Sequence, residues 1–242
     1  CRQASLNPDA CVIVATVRAL KMHGGVDKKE LATENLEALE KGIENLEKHI
    51  ENIQKFGVPA IVAINAFPTD TEAELQLLNE KCQKLGVDVA ISKVWEKGAE
   101  GGIELAEKLL HLLDTTSSSF KPLYDVEEGI KAKIAKIAKE IYGANGVTYD
   151  RKANLMIKRL ERLNLASLPI CMAKTQYSLS DQANLLGRPT DFTIHISDII
   201  VSAGAGFIVA ISGDIMRMPG LPKAPAAIHM DIDANGKISG LF

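Results

Sequence analysis

Three short segments of this 242-residue chain combine residue types that could hold a ligand. The first is residues 14–25, Val-Ala-Thr-Val-Arg-Ala-Leu-Lys-Met-His-Gly-Gly. Here the apolar, β-type segment Cys11–Val17 gives way to Arg18, Lys21 and His23, then to Gly24 and Gly25. A buried strand that opens into a basic, glycine-ended loop is how an open parallel sheet meets an anionic ligand. A core strand followed by an ordinary solvated turn has the same pattern. The second segment, Asn65–Thr71, places Phe67 directly after an apolar run and stiffens it with Pro68. The third, Trp95–Gly102, carries the only tryptophan together with Gly98, Gly101 and Gly102.

Two aromatic side chains at equivalent strand ends can clamp a flat heterocycle, each ring contributing about 0.5–1.5 kcal/mol beyond area burial. Packing beneath their own loops as core is the competing reading for both. The glycines permit close backbone approach, but they match neither the G-x-G-x-x-G fingerprint nor the phosphate-binding G-x-x-x-x-G-K-[ST] loop.

These segments need a frame that brings them to one edge. Leu36, Leu39, Ile43, Leu46, Ile50 and Ile53 recur at helical spacing, so residues 35–56 read as an amphipathic helix whose Glu and Lys residues face solvent. Residues 59–65 and 87–94 read as further strands. Helices are expected from Asp70 or Thr71 to about Leu85 and over residues 100–113, with Glu72 and Glu74 in the first turn of the former. Alternation at this spacing argues for βαβ units, a parallel sheet and loops sharing the C-terminal strand edge.

The polar run Thr115–Ser119 marks a linker or surface loop. It divides an expected first unit, residues 1–117, from a smaller C-terminal α/β unit, residues 118–242. In the latter, residues 127–142 read as a helix with Ile130, Ile134, Ile137 and Ile141 on one stripe and lysines opposite, ending at Gly143. A second helix is expected over residues 152–163, and strands near 169–173, 192–201 and 207–211.

Composition narrows the function classes. A net charge of −3 with 24% charged residues gives no whole-chain attraction to nucleic acid or to an acidic membrane. The most apolar stretch, residues 192–211, is interrupted by His195, Asp198, Gly204 and Gly206, so it reads as two buried strands rather than a membrane span. Four cysteines without C-x-x-C spacing point to a reducing, cytoplasmic setting and no zinc site. Asp231 and Asp233 lack the Gly and Glu spacing of a calcium loop.

The residues also carry a resemblance. The 14–25 run resembles the second signature of the formate–tetrahydrofolate ligase (10-formyltetrahydrofolate synthetase) family at every position. Further matches are Ala63–Asn65 with Phe67–Thr71, Val94–Gly98, Lys174-Thr175-Gln176-Tyr177-Ser178-Leu179-Ser180-Asp181, Gly213–Met216, Met218–Pro222 and the terminal Gly240-Leu241-Phe242. The likeness runs the length of the chain and is specific to that family's C-terminal half. It implies part of a P-loop-NTPase-like parallel sheet with flanking helices.

It also implies synthesis of 10-formyltetrahydrofolate from formate, ATP and tetrahydrofolate through formyl phosphate. Mg²⁺ with ATP, a monovalent cation and a homo-oligomer, typically a tetramer, are implied with it. Carried over residue by residue, the folate ring would lie between Phe67 and Trp95, with Pro68 and Ile91 completing the wall. Read from the residues alone, Arg18, Lys21 and His23 could steer or bind anionic groups, and Gly98, Gly101 and Gly102 could let their loop approach a ligand closely. Arg18 and His23 could equally serve structure, and Lys174–Gln176 could form a polar site, a buried network or a subunit contact. Family members often have Leu where Ile91 stands and Gly where Ala99 stands.

The family's Gly-rich phosphate loop and its first signature have no counterpart here. The chain is therefore expected to work as the folate-binding half of the ligase, inactive without an N-terminal half. A stand-alone binding or assembly module is the alternative. Without a dinucleotide fingerprint after any strand, a nicotinamide-dependent oxidoreductase is disfavoured.

Overall fold

A computed structural model describes residues 2–213, 215, 224–234 and 238–240. Its first sheet is built from β1 (Cys11–Ala15), β2 (Ala60–Asn65) and β3 (Asp88–Ser92), all parallel, in the order β1-β2-β3. Helices α1 (Val17–His23) and α2 (Leu36–Lys55) cross from β1 to β2, and α3 (Glu72–Lys84) crosses from β2 to β3. The one-turn α4 (Val94–Lys97), a 3₁₀ stretch (Gly98–Gly102) and α5 (Ile103–Thr115) follow β3.

Local signals set the helix starts. The Asn35 side chain accepts the Ala38 N–H and begins α2, while Thr71 and Glu74 form a reciprocal capping box on α3. The α2 stripe then packs as its spacing demands. Leu39, Ile43, Leu46 and Ile50 are buried against Val62 and Ile64 of β2, with Leu78 and Cys82 of α3 in the same core.

Two local readings change. The strand at Cys11 stops at Ala15, because Thr16 caps α1 by accepting the Ala19 N–H. The basic residues 18, 21 and 23 thus lie on a short helix rather than in a loop. Nor is α2 a purely apolar-and-solvated helix. Asn45, Lys48 and Asn52 are buried on its second face, where they donate to the carbonyls of Gly187, Glu140 and Ile141.

Those acceptors belong to the rest of the chain. There α6 (Ile130–Ile137) runs into a π-helical turn (Ala138–Tyr142), closed by Gly143 in the left-handed conformation. A π-turn re-aims carbonyls that a regular α-helix would keep, and Glu140 O receives both Lys48 and Lys55. The expected stripe of isoleucines is present, with Ile130 and Ile134 fully buried. One lysine of the opposite face is not solvated, however. Lys133 is completely buried and donates to the carbonyls of Val126, Ala166 and Leu168.

The second sheet runs β4 (Gly146–Tyr149), β6 (Thr193–Ser202), β7 (Phe207–Ser212), β5 (Ile170–Ala173). Its outer pairs are parallel and its central β6–β7 pair is antiparallel, with α7 (Arg151–Arg162) packed on β6. Strand β4 was not anticipated, since four residues beginning with Gly carry no alternation. The two-residue strands β8 (Asp231–Ile232) and β9 (Ile238–Ser239) pair beyond it. Among the described residues no helix is long and apolar enough to cross a membrane.

Candidate functional site

Parallel register decides which loops meet. Ala15 pairs with Ile64, and Asn65 pairs with Ser92. Thr16, Ala66 and Lys93 therefore leave the three strands at the same edge, with neighbouring strands about 4.8 Å apart. The Ala66 N–H donates to Ser92 O, which holds the last two strand ends together.

Phe67 stands one residue beyond Ala66, in a closed turn. Its N–H donates to Asp70 Oδ2 at 2.8 Å, and the Asp70 N–H returns to Phe67 O at 2.9 Å. Burial pushes the Asp70 carboxyl up, against the pull of the Phe67 N–H. Its other oxygen, Oδ1, is buried without a hydrogen-bond partner. Across the edge, the Arg18 guanidinium from α1 sits 5.8 Å from the centre of the Phe67 ring, within cation–π reach. Pro68 is exposed beside it.

Trp95 lies in α4, three residues after the end of β3, with 57% of its surface exposed. Ile91, paired with Ile64, is half-buried and packs against the first core. Both aromatic residues thus belong to adjacent strand ends, and neither is fully buried.

The glycines divide by role. A side chain on Gly101 would strike the Lys93 carbonyl at 2.3 Å, and one on Gly102 would meet Val94 at 3.0 Å, so both make room for the chain leaving β3. Gly98 has a φ of +59° and open space around it. Gly24 is a packing residue as well, because a Cβ there would lie 1.8 Å from the Ala38 carbonyl of α2.

Lys21 is placed far from the solvated loop its sequence suggested. It has no exposure, pairs with Glu74 and donates to Thr33 O. His23 lies at the end of α1, where its Nδ1 accepts the Gly187 N–H. Burial, followed by repulsion from His49, pushes its pKa down. Sequence reasoning missed Asp70 and Glu74 as the residues that hold the edge in place. Thr-x-x-Glu at 71–74 was the available signal for the second.

Among the described residues no three His, Cys, Asp or Glu side chains converge as a metal cradle. The motif residues at 214 and 216–222, and the terminal 241–242, lie outside the described residues.

A parallel sheet with aromatic and basic side chains gathered at its C-terminal strand ends defines an α/β protein of the class that binds ligands in that crevice. The family model for formate–tetrahydrofolate ligase matches residues 1–242. The chain belongs to the formate–tetrahydrofolate ligase family, whose substrates are formate, tetrahydrofolate and ATP.

Proposed function

We propose that the β1–β2–β3 edge is the folate-binding wall of a formate–tetrahydrofolate ligase, with Phe67 and Trp95 gripping the ring and Pro68 and Ile91 completing the contact. The observation that carries this reading is the in-register release of two accessible aromatic residues from adjacent strands. Arg18 above Phe67 adds a cation at the rim. Lys21 serves as a positioning residue, because its charge is consumed by Glu74.

Residues 1–117 form the folate unit in this proposal, and residues 118–242 buttress α2 from behind. No segment of this sequence has the G-x-x-x-x-G-K-[ST] form that cradles phosphates, so ATP and its Mg²⁺ are not placed on this sheet. Phosphoryl transfer and the monovalent cation are assigned to an N-terminal half. Strand β1 supports that arrangement. Among the described residues it pairs with β2 alone, leaving a backbone edge on which further strands could pair, and Val12 and Val14 leave one of its faces exposed. Exposed Ile103 and Leu110 on α5 suit a homo-oligomer contact, and the setting is cytoplasmic.

Trp95 is the only tryptophan, so its emission reports the site directly. Tetrahydrofolate is expected to quench it in the 242-residue chain, and Phe67→Ala is expected to weaken that response. Emission unchanged by folate overturns the proposal. The alternative is a non-catalytic module that binds folate on the same wall. The two separate on mixing this chain with an N-terminal half: only the ligase reading expects 10-formyltetrahydrofolate to appear.

A further inference from the structure

Behind α1 and α2 lies a cavity of about 260 Å³, lined by residues from both sheets' surroundings. His23 and His49 reach it from the helices, and Lys174 reaches it from the loop after β5. Thr175, Gln176 and Ser178 supply further polar groups, and no acidic side chain lines it. Lys174 and two imidazoles thus converge on one small cavity whose lining holds no carboxylate, and Asp181 acts on Lys174 from outside that lining.

Each basic group has spare donor capacity. Lys174 Nζ donates to the carbonyls of Thr175 and Ser178 and lies 4.8 Å from the centre of the Tyr142 ring, leaving one of its three N–H directions. His23 accepts the Gly187 N–H on Nδ1, so its Nε2 carries the proton in the neutral ring. The His49 ring faces both this cavity and the apolar one beside β1.

The surrounding charges agree. His23 is opposed by His49, and His49 by Lys174 and Lys48; both histidines are pushed down, first by burial and then by these neighbours. Burial also brings the Lys174 ammonium down to about 8, with Asp181 pulling the other way. Asp181 is engaged elsewhere, accepting the His195 N–H and the Ser212 hydroxyl. Lys48 is tied to Glu140 O, and Glu51 lies 3.9 Å from it.

We infer that this cavity is an oxyanion-binding site, taking a phosphate or carboxylate group on Lys174, His49 and His23. The inference rests on the cavity alone and stands whether or not the folate wall is where we place it. His23 offers its neutral Nε2–H while Nδ1 accepts the Gly187 N–H, whereas an anion favours the protonated forms of Lys174 and His49, so its binding is coupled to proton uptake.

The chain has five histidines, His23, His49, His111, His195 and His229, which makes imidazole NMR a local reporter. The test titrates the 242-residue chain at pH 7 with inorganic phosphate in one arm and succinate in the other. Saturable shifts of the His23 and His49 resonances are expected, with the other three unmoved. The arm that saturates identifies the oxyanion. Lys174→Met is expected to weaken the response about tenfold, the loss of one charge-assisted hydrogen bond. His49→Gln, at a residue that lines the cavity and also reaches the surface, is expected to weaken it without touching the fold. No saturable shift in either arm, equal shifts of all five histidines, or an unaltered His23 response in both variants overturns the inference.

Discussion

Lys21 Nζ lies 2.7 Å from Glu74 Oε1, and neither side chain reaches solvent. The pair does more than neutralise two charges. Glu74 Oε1 also accepts the Asn35 N–H, and Oε2 accepts the Thr71 N–H, while Lys21 donates to Thr33 O. One ion pair therefore pins the end of α1 to the starts of α2 and α3, and with them the Phe67 turn. Removing one partner strands a buried charge, at a cost of about 3–5 kcal/mol. Lys21→Met and Glu74→Leu are each expected to lose that much in urea unfolding. The double variant should lose much less than the sum, because no charge is left behind. Additive losses would show that the charges are not coupled.

The same pair sets an acid limit. Burial pushes the Glu74 carboxyl up, but donation by Lys21, Asn35 and Thr71 outweighs it and leaves its pKa below the ordinary value. A carboxyl that is more acidic when folded stabilises the fold above its unfolded pKa, about 4.3. That contribution disappears as pH falls through the folded value. Stability measured from pH 7 to pH 3 should thus fall more steeply in the wild type than in the Lys21→Met/Glu74→Leu double variant. Parallel curves would refute the linkage.

Two glycines let α1 and α2 touch backbone to backbone. A Cβ on Gly24 would sit 1.8 Å from Ala38 O, and one on Gly42 would sit 1.8 Å from Leu20 O. Both clashes are with backbone, so neither can be relieved by a side-chain rotation. Gly24→Ala and Gly42→Ala are expected to destabilise by about 2–3 kcal/mol, the upper range for overpacking. Thermal melts check this, and a neutral Gly24→Ala would mean that the helices cross less closely.

The Asp70 side chain fixes the Phe67 turn through one 2.8 Å hydrogen bond, beside the backbone bond from the Asp70 N–H to Phe67 O. Asp70→Ala frees the ring's backbone and should weaken folate quenching of Trp95 about two- to tenfold, the range for one such bond. Asp70→Asn keeps an acceptor and should retain most of the response. Equal loss in the two variants would instead implicate the carboxylate charge.

Much of the frame was legible before the tertiary structure. The α2 stripe, the cap at Thr71, and the three strands of the first sheet follow from periodicity and side-chain chemistry acting over a few residues. The edge shared by residues 16, 66 and 93 also follows, since parallel strands have one C-terminal side. Buried charges were not legible. Lys21, Lys48 and Lys133 look like any solvated lysine in sequence, because their acceptors lie 53, 92 and 35 residues away at the far end of each network.

Local pattern by itself determined the longer helices and most strands, though not α1, α4 or β4, and the edge at which the first three strands end. Only the tertiary structure decided that Gly24 belongs to a helix crossing rather than a ligand loop. It likewise turned Lys21 into a core ion pair and gathered His23, His49 and Lys174 around one cavity. The physical reason is the same in each case. Backbone preference is settled by near neighbours, whereas the fate of a charge or a missing Cβ depends on which distant surface arrives against it.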